Sequence, residues 1–371
     1  MSPPPALVAR AEALKAWLFD LALPIWWSPG ADRNAGGFHD RLSADGEPLA
    51  GPKRARVTAR QVFAFQTAAA MGWRGAADAA IDHGLDFLLA AHRRPDGLYR
   101  AVALAADDRV DLYDQAFVLL AFASAAAAGR PGMSEKAESL LGLLSPEPGG
   151  GFPSLSGAPL DANPNMHLLE AFMAWMALDA AGPWRRLAAG QVRLAVDRLI
   201  DPATGAQSEG FGPGWSAPAT SRRAVWPGHQ FEWAFLLLHW AQRAGDAAAI
   251  APALRLIAVG ERAGVDTARH VAINALDGNL QVTDSGTRLW PQTERLRAVL
   301  RAAQVTGDPQ FWALAEDAVL GLGAFLDVRT PGLWRDSLES DDLSAPASSL
   351  YHLVGAIREL DAAALRTSRG P

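Results

Sequence analysis

Two connectors decide the fold: GGFHDRLSADGEPLAG at residues 36–51 and EGFGPGWSAPATSRRAVWPG at residues 209–228. Each begins with glycine beside a large apolar residue, runs through polar and turn-forming residues, and gives way to an apolar segment. The same opening recurs as Gly37-Phe38, Gly97-Leu98, Gly151-Phe152, Gly210-Phe211, Gly278-Asn279-Leu280 and Gly332-Leu333, at spacings of 54–68 residues. Between these marks, apolar residues fall three and four apart, as in Phe117–Ala126, His167–Leu178, Gln230–Trp240 and Leu296–Val305. Alanine and leucine dominate, so helix propensity agrees with the pattern. Runs of β-branched residues are few and short. A degenerate period of this length, with two helices per repeat, reads as six helical hairpins. Neither terminus carries a polar capping repeat, so the hairpins are expected to close on themselves rather than end as a solenoid. The expectation is an all-α (α/α)6 barrel of about twelve helices, with residues 1–371 as one domain.

Composition narrows the function. Half of the 371 residues are hydrophobic and 20% are charged, enough for a large core and too apolar for a disordered chain. A net charge of −6 gives no basic field for nucleic acid or an anionic membrane. Cysteine is absent, which excludes disulfides, thiolate metal sites and cysteine nucleophiles. The opening MSPPPALVARAEALKAW lacks the apolar region of a signal peptide, and no apolar run is long enough to span a bilayer, so a cytoplasmic protein is expected. No phosphate-binding glycine loop, nucleophile elbow or H-E-x-x-H appears, and no cofactor is expected.

In a ring of hairpins, equivalent points of each repeat lie at one end of the barrel. Counted from the repeat glycines, Arg60, Tyr113, His167, His229, Glu294 and His352 fall 16–23 residues on. These six residues should therefore meet at one mouth. His229, in WPGHQFEW, follows a helix-starting Pro-Gly, and Glu232 three residues on can reach its imidazole or a substrate hydroxyl. His167 follows NPNM, where Asn163 can cap the helix or bind a sugar hydroxyl. Trp290 and Glu294 flank Pro291-Gln292-Thr293. The tryptophan can stack on a sugar or fill the core, and the glutamate can take hydroxyls or face the helix dipole. Arg60 heads a helix whose Val62, Phe65 and Ala69 are expected to face inward, and it is placed to stabilise an oxyanion. Arg54 and Arg56 read as surface charges. His352, between apolar neighbours, reads in isolation as a core histidine. The two His-x-x-Glu pairs, His167/Glu170 and His229/Glu232, run opposite to the Glu-x-x-His order of di-iron bundles, and no metal site is expected.

Together, GGFHDRL, KRARVTARQVFAF, DLYDQAFVLLAF, NPNMHLLEAFMAW, WPGHQFEWAFLLL, RLWPQTERLRA and SSLYHLVGAI resemble the N-acylglucosamine 2-epimerase superfamily, in order and over nearly the whole chain. The resemblance implies an (α/α)6 barrel. It makes Arg60 the substrate arginine, His229 and His352 the acid/base pair, and Glu232 the partner of His229. It assigns Tyr113, Asn163, His167, Trp290 and Glu294 to sugar binding. Arg56 stands where the family often carries an aromatic residue. SSLYH looks like the mannose isomerase branch, so the expected reaction is cofactor-independent interconversion of D-mannose and D-fructose through an enediolate. A sugar 2-epimerase and a mannose 6-phosphate isomerase are the alternatives within the class, with Arg54, Arg56, Arg222 and Arg223 as candidate phosphate contacts. A glycoside hydrolase using Glu232 and Glu294, and a non-catalytic binding protein, are the alternatives outside it. The expected partner is a monosaccharide and the expected assembly a monomer or homodimer.

Overall fold

Segments rich in alanine and leucine can only be stable as helices if their apolar faces are covered. Here they cover one another in two concentric layers. The structure, a computed structural model, describes residues 2–103, 108–147, 150–155, 157 and 159–368. In chain order the helices are α1 (Pro5–Trp17), continued through a π turn at Leu18–Ala22 into α2 (Leu23–Trp27), then α3 (Ala55–Ala70) and α4 (Ala77–Phe87). There follow α5 (Leu112–Ala127), α6 (Met133–Leu141), α7 (Ala162–Leu178) and α8 (Trp184–Leu194). The last are α9 (Pro227–Ala244), α10 (Ile250–Gly264), α11 (Leu289–Thr306), α12 (Gln310–Leu326) and α13 (Ser349–Ser368).

The helices α3, α5, α7, α9, α11 and α13 form the inner ring, each packed on the next, and α13 returns to pack on α3. The helices α4, α6, α8, α10 and α12 back their partners from outside, and α1 takes the same place behind α13. This is the (α/α)6 barrel, with α1 and α2 counting as one rod. Inner helices such as α5 and α11 are buried nearly all round, whereas α4 and α8 bury one stripe. One apolar cluster includes residues from Leu7 to Ala363. The closure between first and last repeats is also polar. Strand Arg41–Leu42 pairs antiparallel with Ala345–Pro346, Gln61 Nε2 donates to the carbonyl of Ala347 at 2.8 Å, and Lys15 pairs with Asp361 at 2.8 Å.

A repeated amide locks the inner helices to their connectors. The fourth residue of α5, α7, α9 and α11 is Gln115, Asn165, Gln230 or Gln292, each fully buried. Its side-chain oxygen accepts from a connector N–H, and its nitrogen donates to the carbonyl of that same residue. The residue clasped is Tyr99, Phe152, Gln207 or Ala272, at 2.7–3.0 Å. The same nitrogen also donates to the carbonyl four residues back, as in Gln292 to Arg288 at 2.8 Å. An extended connector segment thus satisfies both of its backbone groups on one helix, a buried exchange that leaves nothing unpaired. Repetition of this clasp fixes the height at which these four inner helices start.

Several details depart from the sequence reading. Gly278 does not open a repeat like the others. It sits in the turn between antiparallel strands Val271–Asp277 and Val282–Thr287, a hairpin longer than the short strands expected. Four of the six repeat glycines, Gly37, Gly97, Gly151 and Gly332, adopt positive φ, and a Cβ on Gly37 would stand 2.5 Å from the Phe87 ring. On α3, Val62 and Phe65 face the outer layer, where Phe65 packs on Phe38 and Trp27, and Ala69 is exposed. The helix face toward the barrel axis carries other residues.

The clasp predicts a specific stability cost. Gln115→Leu keeps the bulk but strands the N–H and carbonyl of Tyr99, and should destabilise by about 2–4 kcal/mol. Urea unfolding followed by tryptophan fluorescence measures this. An unchanged midpoint would show that the clasp does not hold the helix.

Candidate active site

The clasping amides also set which residues face the axis. Two residues before them come Tyr113, Asn163, Gly228 and Trp290, and two after come Phe117, His167, Glu232 and Glu294. Positions four apart lie one above the other on a helix, about 6 Å along its axis. On α3 the matching pair is Arg56 and Arg60, and at α13 it is Ser348 and His352. The inner ring therefore carries two rungs of side chains at one end of the barrel. Nine of these twelve residues line a single cavity of about 620 Å³, all but Phe117, Gly228 and Glu294. Gly228 makes room for its neighbour, since a Cβ there would fall 2.4 Å from the Trp290 ring.

Of the residues expected at the site, Arg60, Tyr113, Asn163, His167, His229, Glu232, Trp290 and His352 all line this cavity. Arg60 donates to the Tyr113 hydroxyl at 2.6 Å and lies 4.2 Å from the Phe117 ring centroid. Its Nε has no protein partner among the described residues. The Trp290 ring stands between the two histidines, 5.0 Å from His229 and 5.8 Å from His352. Trp226 covers His229 from another side at 5.0 Å. Asn163 Oδ1 is buried without a partner among the described residues. Its expected capping role falls to Asp161, which accepts from the Asn163 N–H at 2.9 Å.

The carboxylate partners differ from those the resemblance implied. His229 Nδ1 bonds Glu209 Oε2 at 2.6 Å, not Glu232. Glu209 comes from the connector before α9, 20 residues upstream, a separation at which sequence spacing says nothing about contact. Glu294 is not in the cavity lining and is fully buried. Its Oε1 faces His352 Nδ1 at 2.8 Å, and its Oε2 accepts from Arg297 at 2.7 Å. It is thus placed behind His352 rather than against a sugar. His352, far from being an isolated core imidazole, has its carboxylate supplied by α11 across 58 residues. In both dyads Nδ1 is engaged, which fixes the ring and turns Nε2 toward other partners.

Burial and neighbours set the charge states. Burial lowers the His352 and His167 imidazoles to about 4, against the opposing pull of Glu294 and Glu170 respectively. Both rings are therefore neutral at physiological pH. Burial pushes Glu294 up, but Arg297 and His352 outweigh it and leave the carboxyl below its usual range. Glu170 follows the same logic. Burial raises it, His167 and Arg297 lower it, and it settles at about 2. Glu232 goes the other way: burial, then the charges of Glu294 and Glu170, raise it well above the usual range. It is 3.9 Å from His167 Nδ1, and its carboxyl is biased toward the protonated form. Three carboxyls share this floor, and the one with no ion pair to a guanidinium is the one biased toward its protonated form.

Glu232, Glu294 and His352 bring one donor atom each within 4.8 Å of one another. Both Glu294 oxygens are already engaged, by Arg297 and His352, so the set is arranged for hydrogen bonding. The rim also differs from expectation. Arg54 and Arg56 line the cavity rather than facing bulk solvent, together with Arg41 and Arg288, which the sequence reading passed over. Arg54 pairs with the buried Asp40, and Arg41 with Asp342. Arg222 lines a separate groove, with Pro153, Phe211 and Pro213, and Arg223 pairs with Asp201. Among the described residues, no helix is long and apolar enough to cross a membrane.

A cavity walled by imidazoles, a guanidinium and a tryptophan, at one end of a ring of helical hairpins, invites comparison with known sugar enzymes. The family model of N-acylglucosamine 2-epimerase (GlcNAc 2-epimerase) matches residues 36–356. The chain is 40% identical to a mannose-6-phosphate isomerase of Rhizobium meliloti (strain 1021), covering 95% of this chain and 97% of that one. It is 32% identical to a D-mannose isomerase of Thermobifida fusca, over 82% and 81% of the two chains. A crystal structure of a D-mannose isomerase superposes with a TM-score of 0.85 at 21% identity, covering 96% and 97%. Matched along its length in sequence and in its ring of hairpins, the chain belongs to the N-acylglucosamine 2-epimerase family and is an enzyme of the sugar isomerase and epimerase class.

Proposed function

We propose that the protein interconverts a mannose-type aldose and a fructose-type ketose by moving one proton between C2 and C1. The observation that carries this reading is His352. It is a neutral imidazole with Nδ1 held by Glu294, lining the same cavity as Arg60. A proton alpha to a carbonyl is weakly acidic, so its removal needs a base together with a positive charge on the developing enediolate oxygen. His352 serves as the base, taking the C2 proton and, after exchange with solvent, delivering a proton to C1. Arg60, whose Nε is unpartnered, meets the enediolate oxygen. His229, oriented by Glu209, opens the sugar ring and carries the proton between the hydroxyl and the carbonyl oxygen. Trp290, standing between the two imidazoles, offers its face to the sugar carbons. Tyr113, Asn163 and His167 take hydroxyls. Glu232, as a neutral acid, donates a hydrogen bond where a carboxylate could only accept. The full chain acts as one catalytic unit with a monosaccharide substrate, in the cytoplasm, as a monomer or homodimer.

A second reading keeps the reaction and adds a phosphate at C6. It rests on the rim. Arg56 reaches Asp111 and Asp114 only at 3.9 Å, and Arg288 lies over the Trp290 ring at 5.5 Å with no ion pair among the described residues. Both flank the start of α13, where Ser348 and Ser349 also line the cavity. Two guanidiniums beside serines and a helix N-terminus make a setting suited to a phosphate dianion. The mannose-6-phosphate isomerase relative points the same way.

Three outcomes follow. The purified protein should form ketose from mannose or mannose 6-phosphate, and His352→Gln should lower kcat by about 10²–10⁴-fold. Full activity in that variant would remove the base from this reading. Glu232→Gln, which copies a neutral acid, should leave the melting temperature nearly unchanged. Glu294→Gln breaks a buried pair and should cost about 3–5 kcal/mol. Equal effects in calorimetry would contradict the charge states assigned here. If the phosphorylated sugar is the substrate, Arg56→Gln with Arg288→Gln should raise its KM tenfold or more and leave that of mannose unchanged. A common change in both KM values would set the rim aside.

A further inference from the structure

Arg297 lies below both rungs, outside the cavity lining, and has no part in the chemistry proposed above. It sits one turn after Glu294 on α11, 2% exposed, with its guanidinium 4.0 Å from the Phe235 ring centroid. Its two terminal nitrogens serve different carboxylates. Nη1 donates to Glu294 Oε2 at 2.7 Å, and Nη2 lies 3.6 Å from Glu170 Oε1. Each carboxylate in turn faces a cavity imidazole through its other oxygen: Glu294 to His352 at 2.8 Å, and Glu170 to His167 at 3.5 Å. The Tyr351 hydroxyl also donates to Glu170. A buried cation at such a cost in desolvation needs a return in paired charge, and here it is matched to two carboxylates on two helices.

We propose that Arg297 is a positioning residue that holds the His352–Glu294 and His167–Glu170 pairs in their working geometry and protonation from beneath the cavity. It touches no substrate. Its effect passes through the two carboxylates to the imidazoles that line the site. The charged and titratable groups facing this floor are Glu294 on α11, His352 and Tyr351 on α13, Glu170 and His167 on α7, Glu232 on α9 and Arg60 on α3. One turn further down, Arg301 pairs with Glu359, with His239 nearby, and closes the floor from below. With Arg297 present, the two guanidiniums Arg297 and Arg60 balance the two ionised carboxylates, while Glu232 is biased toward its protonated form. Without it, three carboxyls would face one another with only Arg60 close by. The His352–Glu294 pair would then take up its shared proton at a higher pH, because a neighbouring positive charge has been removed. A protonated pair keeps the Nδ1 contact but has no free Nε2 base to offer.

This inference rests on the reading of His352 as the base, so its test carries a readout independent of turnover. In Arg297→Gln, kcat should fall at least tenfold with KM within about twofold, and the acid limb of the kcat/KM profile should move toward alkaline pH. In the substrate-free protein, the His352 ring signals in 15N–1H NMR should titrate about one unit or more higher than in the wild type. Arg297→Lys, which restores the charge but not the fork, should return the titration toward wild type and recover kcat only in part. Should Arg297→Gln fail to fold, the lysine variant carries the test. Its kcat must fall while its His352 titration stays within half the glutamine shift expected. Normal kcat with an unmoved acid limb and unmoved His352 titration, in either folded variant, overturns the proposal. A wild type inactive on every aldose tried, with the NMR shift present, would instead sink the isomerase reading and leave the positioning role standing.

Discussion

The hydrogen bond between His352 Nδ1 and Glu294 Oε1, 2.8 Å long, joins the last inner helix to its neighbour and places an imidazole on the cavity wall. Much of the site is arranged around it. Arg297 on its far side, together with His352, holds the Glu294 carboxyl below its usual range against burial, and Glu294 and Glu170 share the charge of the buried Arg297. Glu170 in turn meets His167 and Tyr351. A chain of alternating charge therefore crosses the barrel axis from α13 to α11 to α7. Such an array is costly to bury, and the cost is offset only when every member keeps its partner. That condition explains why the inner helices must start at fixed heights, and the amide clasps at Gln115, Asn165, Gln230 and Gln292 supply that registration.

Ring closure is what brings the two dyads to one cavity. His229 and His352 belong to the fourth and sixth hairpins and are separated by over a hundred residues, yet Trp290 of the fifth contacts both. The chemistry then divides by height along the axis. The rim carries arginines and serines. The two rungs carry imidazoles, tyrosine, asparagine and tryptophan, and the floor carries the ion pairs that no solvent reaches. A sugar held at the rungs would be gripped by hydroxyl partners and an aromatic face, with cations available on both the enediolate side and the rim.

The sequence shows the hairpin rhythm plainly because the helix period repeats six times and a glycine opens five of the six connectors, Gly278 falling in a hairpin turn instead. It also points to eight of the nine residues expected at the cavity, Glu294 turning behind His352 instead, but it does not separate them from the amides near the same helix starts, which clasp the connectors. What it does not reveal is pairing. An inner helix is buried on every side, so three- and four-residue spacing cannot say which face meets the axis. Val62 and Phe65 turn outward for that reason. Glu232 follows His229 by three residues and is a natural partner on a helix, but a connector glutamate, Glu209, takes the place. Contacts such as His352–Glu294 cross 58 residues and leave no local trace. A signal for the floor was nonetheless present: Glu170 is a charge inside the apolar run of α7, and such a charge needs a partner. The amide recurring at the fourth residue of four of the six inner helices was a second.

The account as a whole turns on one proton leaving C2 and a proton reaching C1 by way of an imidazole. The most direct test is isomerisation in deuterated water, with the ketose product analysed by NMR for label at C1. Proton transfer through His352 predicts solvent deuterium at C1 of the ketose, accumulating as turnover proceeds and absent with His352→Gln. Ketose formed at the full rate with no solvent label at C1 would mean that hydrogen moves directly between the carbons, and would contradict the mechanism.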